Sequence, residues 1–216
     1  MTPARRDTHT STIDWGDGAV ANGVASGGVA SGSHPYAAAG VYPVGMTVRD
    51  DDGGTSNQSV YEFVVVYDPD HGFVTGGGWI NSPAGAYSAN PTITGKATFG
   101  FVARNEKGAT VPRGNTEFQL HVAGLNFKST SYDWLVIAGS RAQLKGSGSL
   151  NGAGSYAFML TAVDGQIAGG GGADKFRIKI SDRATGAIIY DNMLGSGDGA
   201  EPSTFVAGGS IQIRNQ

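Results

Sequence analysis

The stretch "STIDWGDG", residues 11–18, decides how the chain is to be read. Thr12, Ile13 and Trp15 favour an extended strand, and Gly16-Asp17-Gly18 stops it. The large apolar body of Trp15 marks the inside of a β-structure. Asp14 and Asp17 stand beside it, as turn-makers or as ligands.

Working outward, glycine supplies 36 of the 216 residues, against a usual share of about 7%. Each glycine inside a helix costs about 1 kcal/mol, so a largely helical chain is excluded. Hydrophobic residues make up 39%, a lean but sufficient stock for a packed core. The net charge is −3 with no basic patch, which argues against nucleic acid and anionic membrane as partners. The absence of cysteine removes thiolate catalysis, disulfides and cysteine-ligated metal sites. No apolar run approaches the ~20 residues of a membrane span. The opening "MTPARRDTHT" has two arginines but no apolar region after them, so no signal peptide is expected within these residues.

Short apolar runs recur between turn signals, among them "YPVGMTV" (42–48), "SVYEFVVVY" (59–67), "GFVTGGGWI" (72–80), "TGKATFGFVAR" (94–104) and "GSYAFMLTAV" (154–163). In "KFRIKI" (175–180) Phe176, Ile178 and Ile180 face one way, and Lys175, Arg177 and Lys179 the other. That is the period of a half-buried antiparallel strand. "TEFQLHV" repeats it with Phe118, Leu120 and Val122, which puts His121 on the polar side. About a dozen such strands predict β-sandwiches or barrels. The boundary falls at "YDPDHG", 67–72, where Pro69 cannot join a sheet ladder. The expected domains are therefore 1–67 and 72–216 with a linker at 68–71. The small-residue stretch 19–33 reads as a flexible loop, with the recurring "GVAS" allowing a weak hairpin.

The first segment resembles the PKD family of immunoglobulin-like domains. The resemblance rests on "DWGDG" (14–18), "HPYAAAGVYPVGMTVRDDDGG" (34–54) and "VYEFVVV" (60–66). It implies that Trp15 is core, that the GDG is a hairpin turn, and that Tyr36 and Tyr42 pack with a hydrogen-bonding tip. The family has one or two strands before this segment, so the domain is expected to be truncated at its start. An unpaired edge follows, to be covered by residues 72–216 or by a second copy in a dimer. The second segment, carried by "FVTGGGWI" (73–80), "GKATFGFVAR" (95–104), "DKFRIKI" (174–180) and "IIYDN" (188–192), resembles a C-terminal β domain found after PKD repeats in large secreted bacterial proteins. The predicted fold is all-β: an immunoglobulin-like PKD sandwich followed by a second, larger antiparallel β-sandwich.

Chemistry is sought first in the acids. In "RDDDGG" (49–54) three adjacent carboxylates repel one another, and calcium, which takes six to eight oxygen ligands, relieves this. The family resemblance implies calcium ligands at Asp50 and Asp51; a solvated turn is the competing reading. Asp68 and Asp70, with His71, offer an interdomain cation site or a polar linker. Asp174, Asp182, Asp191 and Asn192, together with Asp164 and Asp198, lie at strand ends, where β domains build calcium sites from converging loops. The same residues equally suit turns.

The four histidines, His9, His34, His71 and His121, have no zinc-protease spacing, and no nucleophile elbow occurs. "GSGDGA" (195–200) lacks the βαβ context of a dinucleotide site. Trp79, Trp134, Tyr87, Tyr132 and Tyr156 form either a sugar platform or ordinary core and cross-strand pairs. The expected function is a non-catalytic, calcium-stabilised adhesion or targeting module of a secreted or cell-surface bacterial protein, with extracellular polysaccharide or protein as its partner. The alternative is a small calcium-dependent hydrolase acting on an ester or lactone.

Overall fold

The structure, a computed structural model, describes residues 8–26, 28–66 and 72–214. It divides into two compact units, Met1–Val66 and Tyr67–Gln216. Asp68, Asp70 and His71, expected at a junction site, lie outside the described residues.

The first unit is a five-stranded antiparallel sheet of β1 (His9–Asp14), β2 (Val20–Ser26), β3 (Val29–Ser31), β4 (Gly40–Asp50) and β5 (Ser59–Val66), in the order β3-β2-β1-β4-β5. β1 is the centre: Ile13 stands opposite Ala21 on β2 and Met46 on β4. β2 and β3 pair as a hairpin, with Val24 opposite Ser31. The stretch 19–33 thus takes the hairpin that the recurring "GVAS" allowed rather than the flexible loop its small residues suggest. Valines spaced among alanine and serine carry enough β-propensity to complete a sheet that already has β1 as a template.

Ile13 is the one fully buried hydrophobic side chain of this unit among the described residues, 2% exposed. Aromatics cover this face. Trp15 stacks on His34 with ring centroids 5.3 Å apart, Tyr36 meets His34 edge-on at 4.8 Å, and Tyr36 stacks on Tyr42 at 4.3 Å. Trp15 is half-buried rather than enclosed. Gly16 has φ 78°, and a Cβ there would strike the Pro43 carbonyl at 2.4 Å, so the turn after Trp15 needs glycine on both counts.

The second unit is one long antiparallel meander. Its strands are β6 (Phe73–Ser82), β7 (Gly95–Arg104), β8 (Arg113–Leu120), β9 (Leu125–Ala138), β10 (Arg141–Leu150), β11 (Ala153–Val163), β12 (Lys175–Asp182), β13 (Ile188–Asp191) and β14 (Gly208–Arg214). They pair in sequence from β6 to β13, and β14 returns to flank β6. The sheet folds over on itself into a sandwich, because its apolar residues alternate onto one face. Phe99 of β7 stacks on Phe176 of β12, with centroids 4.1 Å apart, and Phe118 of β8 meets Tyr190 of β13 at 4.6 Å. Phe118, Phe127, Leu144, Leu160, Ile178 and Ile180 are all fully enclosed in that core.

Two local expectations are corrected. The strand through "TEFQLHV" ends at Leu120, and His121–Ala123 form a single 3₁₀ turn closed by Gly124 at φ 60°. His121 is therefore not on a strand face. In β12 the alternation is right but the outer face is not solvated: Arg177 is 1% exposed. The segment after β13 lies across it.

Candidate functional site

The acids around Trp15 are turn-makers. Asp14 Oδ1 accepts the Gly16 N–H at 3.0 Å, and Asp17 Oδ1 accepts the Ala19 N–H at 3.0 Å, the local bonding that Asp offers in turns. Asp17 Oδ2 lies 2.7 Å from His34 Nε2. That hydrogen bond is the main cause that holds the Asp17 carboxyl below its usual range. The Tyr36 hydroxyl donates to the Trp15 carbonyl at 2.9 Å, and burial raises its pKa. Trp15, Asp17, His34 and Tyr36 thus form one bonded unit that fixes the turn.

At the far end of β4 the chain turns through Asp50–Gly54. The Asp50 N–H donates to the Gly54 carbonyl at 2.8 Å, and Gly53 N–H returns to the Asp50 carbonyl at 3.1 Å. Asp51 Oδ1 accepts the Thr8 N–H at 3.5 Å, and its carboxyl is held below the usual range first by hydrogen bonding to Thr8. Asp50 Oδ1 is buried and has no hydrogen-bond partner among the described residues. Asp50 and Asp51 are neighbours here as the sequence requires, and the orphaned oxygen suits a cation. Among the described residues, however, no three His, Asp or Glu side chains converge to hold a metal ion.

In the second unit the expected ligands are dispersed. Asp174 and Asp182 lie at opposite ends of β12, about 26 Å apart at the usual rise per residue. Asp182 Oδ1 accepts the Ala184 and Thr185 N–H groups, each at 2.9 Å, and this backbone bonding lowers its pKa. Asp191 is 1% exposed and bound by Arg177 through two parallel bonds, Nε to Oδ1 at 3.0 Å and Nη2 to Oδ2 at 2.8 Å. Asn192 accepts the Ile178 N–H at 2.8 Å and donates to the Phe176 carbonyl and the Thr204 hydroxyl, each at 2.9 Å. Asp198 pairs with Lys179 at 2.8 Å.

Asp164 and Asp174 do come together, at the edge of β14. Asp174 Oδ2 accepts the Ile211 N–H at 2.7 Å, and Asp164 Oδ2 accepts the Ile213 N–H at 3.0 Å. With the Gln166 amide turned so that its nitrogen faces them, it donates to both carboxylates, at 2.9 and 3.1 Å. Two side chains thus satisfy an edge that no strand among the described residues pairs. The sequence offers no sign of this, because the partners are 37 and 49 residues away.

The segment 196–200 is held down on β10 and β12. Arg177 donates to the Gly197 and Ser196 carbonyls at 2.7 and 3.0 Å, Arg141 to Gly199 at 2.9 Å, and Gln143 to Asp198 at 3.2 Å. This cover is what buries Arg177.

The aromatics do not gather into one platform. Tyr132 is core, with its hydroxyl 2.7 Å from the Thr116 hydroxyl. Trp79 is on β6 and Trp134 on β9, with two strands between them. Lys96 Nζ sits 4.8 Å over the Trp79 ring. Tyr87 bridges Tyr190, and Tyr156 packs at the edge of the core from β11.

No curated protein and no solved structure matched the chain when it was compared with them. No helix among the described residues is long and apolar enough to cross a membrane. The family model described as PKD domain matches residues 2–65, and the sheet built around the Trp15 turn agrees with it: the first unit is a PKD domain, of the type that occurs in extracellular proteins, followed by a larger β-sandwich.

Proposed function

We propose that this chain is a non-catalytic adhesion or targeting module of a secreted or cell-surface protein, in which the PKD domain presents the larger β-sandwich to extracellular polysaccharide or protein. The observation that carries the reading is the PKD match over 2–65, since PKD domains are in general non-catalytic extracellular modules. The fate of the polar side chains supports it. In the second unit Asp164, Asp174, Asp191 and Arg177 are buried and committed to backbone amides or to one another, and groups so engaged hold a fold rather than activate a water.

Calcium enters the proposal at one place, the Asp50–Asp51 strand end. Asp50 Oδ1 is the unpartnered oxygen there, and calcium takes such carboxylates together with main-chain carbonyls. Its role would be to tie the β4 end down.

The test is retention. The full chain is passed over insoluble polysaccharides and immobilised extracellular-matrix protein, with and without calcium. Retention on at least one matrix is expected. Free passage through all of them, together with turnover of model esters or lactones that a chelator abolishes, would replace this reading by the hydrolase.

A further inference from the structure

Lysines and arginines far apart in the sequence meet on the outer face of β10 to β12. In β10 Ala142 and Leu144 enter the core, and in β12 Phe176, Ile178 and Ile180 do. Arg141, Gln143 and Lys145 therefore stand on the other side of β10, and Lys175, Arg177 and Lys179 on the other side of β12. Strand register sets them in rows across β11: Arg141–Val163–Lys175, Gln143–Thr161–Arg177 and Lys145–Met159–Lys179. Asp191 neutralises Arg177. Arg141 keeps a buried Nε that has no hydrogen-bond partner among the described residues. Burial lowers the Arg141 pKa, Glu201 opposes this, and the Arg177 charge adds to it. A face so charged calls for carboxylates and oriented carbonyls above it.

The chain supplies both from its own segment 196–201. Arg177 donates to the carbonyls of Ser196 and Gly197, Gln143 to that of Asp198, and Arg141 to those of Gly199 and Ala200, the last at 3.3 Å. Five successive carbonyls are thus taken by side chains of β10 and β12. The Asp198 carboxylate lies 2.8 Å from Lys179 Nζ, and the Glu201 carboxylate 2.6 Å from Lys175 Nζ. The segment's own main-chain bonds are local: the Ser196 N–H donates to the Met193 carbonyl at 3.1 Å and the Ala200 N–H to the Gly197 carbonyl at 3.0 Å. No residue from 195 to 201 is buried, and Gly195, at φ 85°, makes the turn that leads in. Among the described residues the segment has neither a strand ladder nor an apolar anchor. It is held as a bound peptide is held, by side chains that read its carbonyls and carboxylates.

We infer that this face is a binding site for an acidic peptide of a partner protein, and that segment 196–201 fills it when the partner is absent. This rests on the adhesion reading and narrows its partner to protein. The site selects a main chain whose carbonyls Arg141, Gln143 and Arg177 take in succession, with two carboxylates three residues apart for Lys179 and Lys175. Recognition of acidic motifs by clustered arginines is a recurring mode of peptide binding. A chain of sugar rings offers no such run of carbonyl acceptors. Competition sets the affinity. A segment tethered beside its site acts at an effective concentration on the order of millimolar. A free peptide therefore enters the intact chain only near that concentration, and far more easily once the tethered carboxylates are neutralised. Docking of this kind is steered by charge and weakened by salt.

The test uses the full chain and a labelled peptide of the segment's own sequence, Ser-Gly-Asp-Gly-Ala-Glu, blocked at both ends, with Ser-Gly-Asn-Gly-Ala-Gln as its neutral counterpart. Binding is read by fluorescence anisotropy and by amide shifts of β10 and β12. The paired change Asp198→Asn with Glu201→Gln loosens the tethered segment. That variant should bind the acidic peptide at least about tenfold more tightly than the parent chain does, and the neutral peptide at least about tenfold more weakly than the acidic one. Adding Lys179→Ala to the pair should abolish the gain. If the pair fails to fold, the parent chain serves: at millimolar acidic peptide the amides of 196–201 should move toward random-coil positions, while those of Ile178 and Ile180 stay. Equal peptide affinity in the parent and the folded pair would overturn the inference, as would a parent chain in which the 196–201 amides do not move. Binding of oligogalacturonate without binding of the peptide would overturn it too, and assign the face to an acidic glycan. Matrix adhesion equally strong in the pair and in the variant with Lys179→Ala added would remove this site and leave the adhesion reading standing.

Discussion

The Arg177 guanidinium and the Asp191 carboxylate meet in two parallel bonds of 3.0 and 2.8 Å, each side chain 1% exposed. Removing one partner of such a pair strands a buried charge, at a cost of about 3–5 kcal/mol. Asp191→Ala should lower stability by that amount in urea denaturation and release the 196–200 segment, whose carbonyls Arg177 also binds. The double change Arg177→Met with Asp191→Leu should recover much of the loss. A double variant as unstable as the single one would show that the pair is not the origin of the effect.

The carboxylates at the β14 edge give a second prediction. Asp174→Ala leaves the Ile211 and Gly165 N–H groups without acceptors, at about 1–3 kcal/mol for each buried donor. Amide exchange should accelerate at Ile211 before it does at Ile178 in the core. Uniform acceleration across the unit would instead indicate a global effect.

Alkaline stability is linked to Tyr190. Burial pushes its hydroxyl up to about 12, against about 10 in an unfolded chain. The folded state favours the neutral form, so this contribution is complete below pH ~10 and is lost as pH rises toward 12, by roughly 1–3 kcal/mol in total. Tyr190→Phe loses the bond to the Ser82 hydroxyl, and should be less stable at neutral pH but less sensitive between pH ~10 and 12. Equal alkaline slopes for the two proteins would contradict the assignment.

Acid acts on the first unit. His34 bonding holds Asp17 below the usual carboxylate range, so its contribution is present above the unfolded value and is lost as pH falls through the lowered folded one. Asp17→Asn should therefore flatten the low-pH dependence of Trp15 fluorescence. Three of the four buried polar atoms without a partner among the described residues, Ser11 Oγ, Trp15 Nε1 and Asp50 Oδ1, are in this same unit, and Ile13 is its one enclosed hydrophobic side chain among the described residues. So thin a core should open first: amides of β1 should exchange well before those of β8 and β12. If calcium sits at Asp50–Asp51, it should slow β4 exchange and leave β12 unchanged. Calcium-independent exchange in β4 would remove that site.

The strands were legible because their signal is local. The alternation of Phe118 with Leu120, and of Phe176 with Ile178 and Ile180, needs only neighbouring residues, and the Trp15–Gly18 turn announces itself within a few positions. What covers a face is not local. Arg177 reads as solvated until residues 196–200 are laid over it, and nothing local to Asp164 and Asp174 announces the β14 N–H groups that their carboxylates accept. The β2–β3 hairpin showed only as the recurring "GVAS", because alanine and glycine state no strong preference.

The central claim is adhesion without catalysis. Its most direct test is depletion of the full chain from solution by suspended insoluble polysaccharides and matrix protein, with ester and lactone substrates turned over in parallel. The account predicts saturable depletion by at least one matrix and no turnover above the uncatalysed rate, with or without calcium. Calcium-dependent turnover by a chain that no matrix depletes would contradict it.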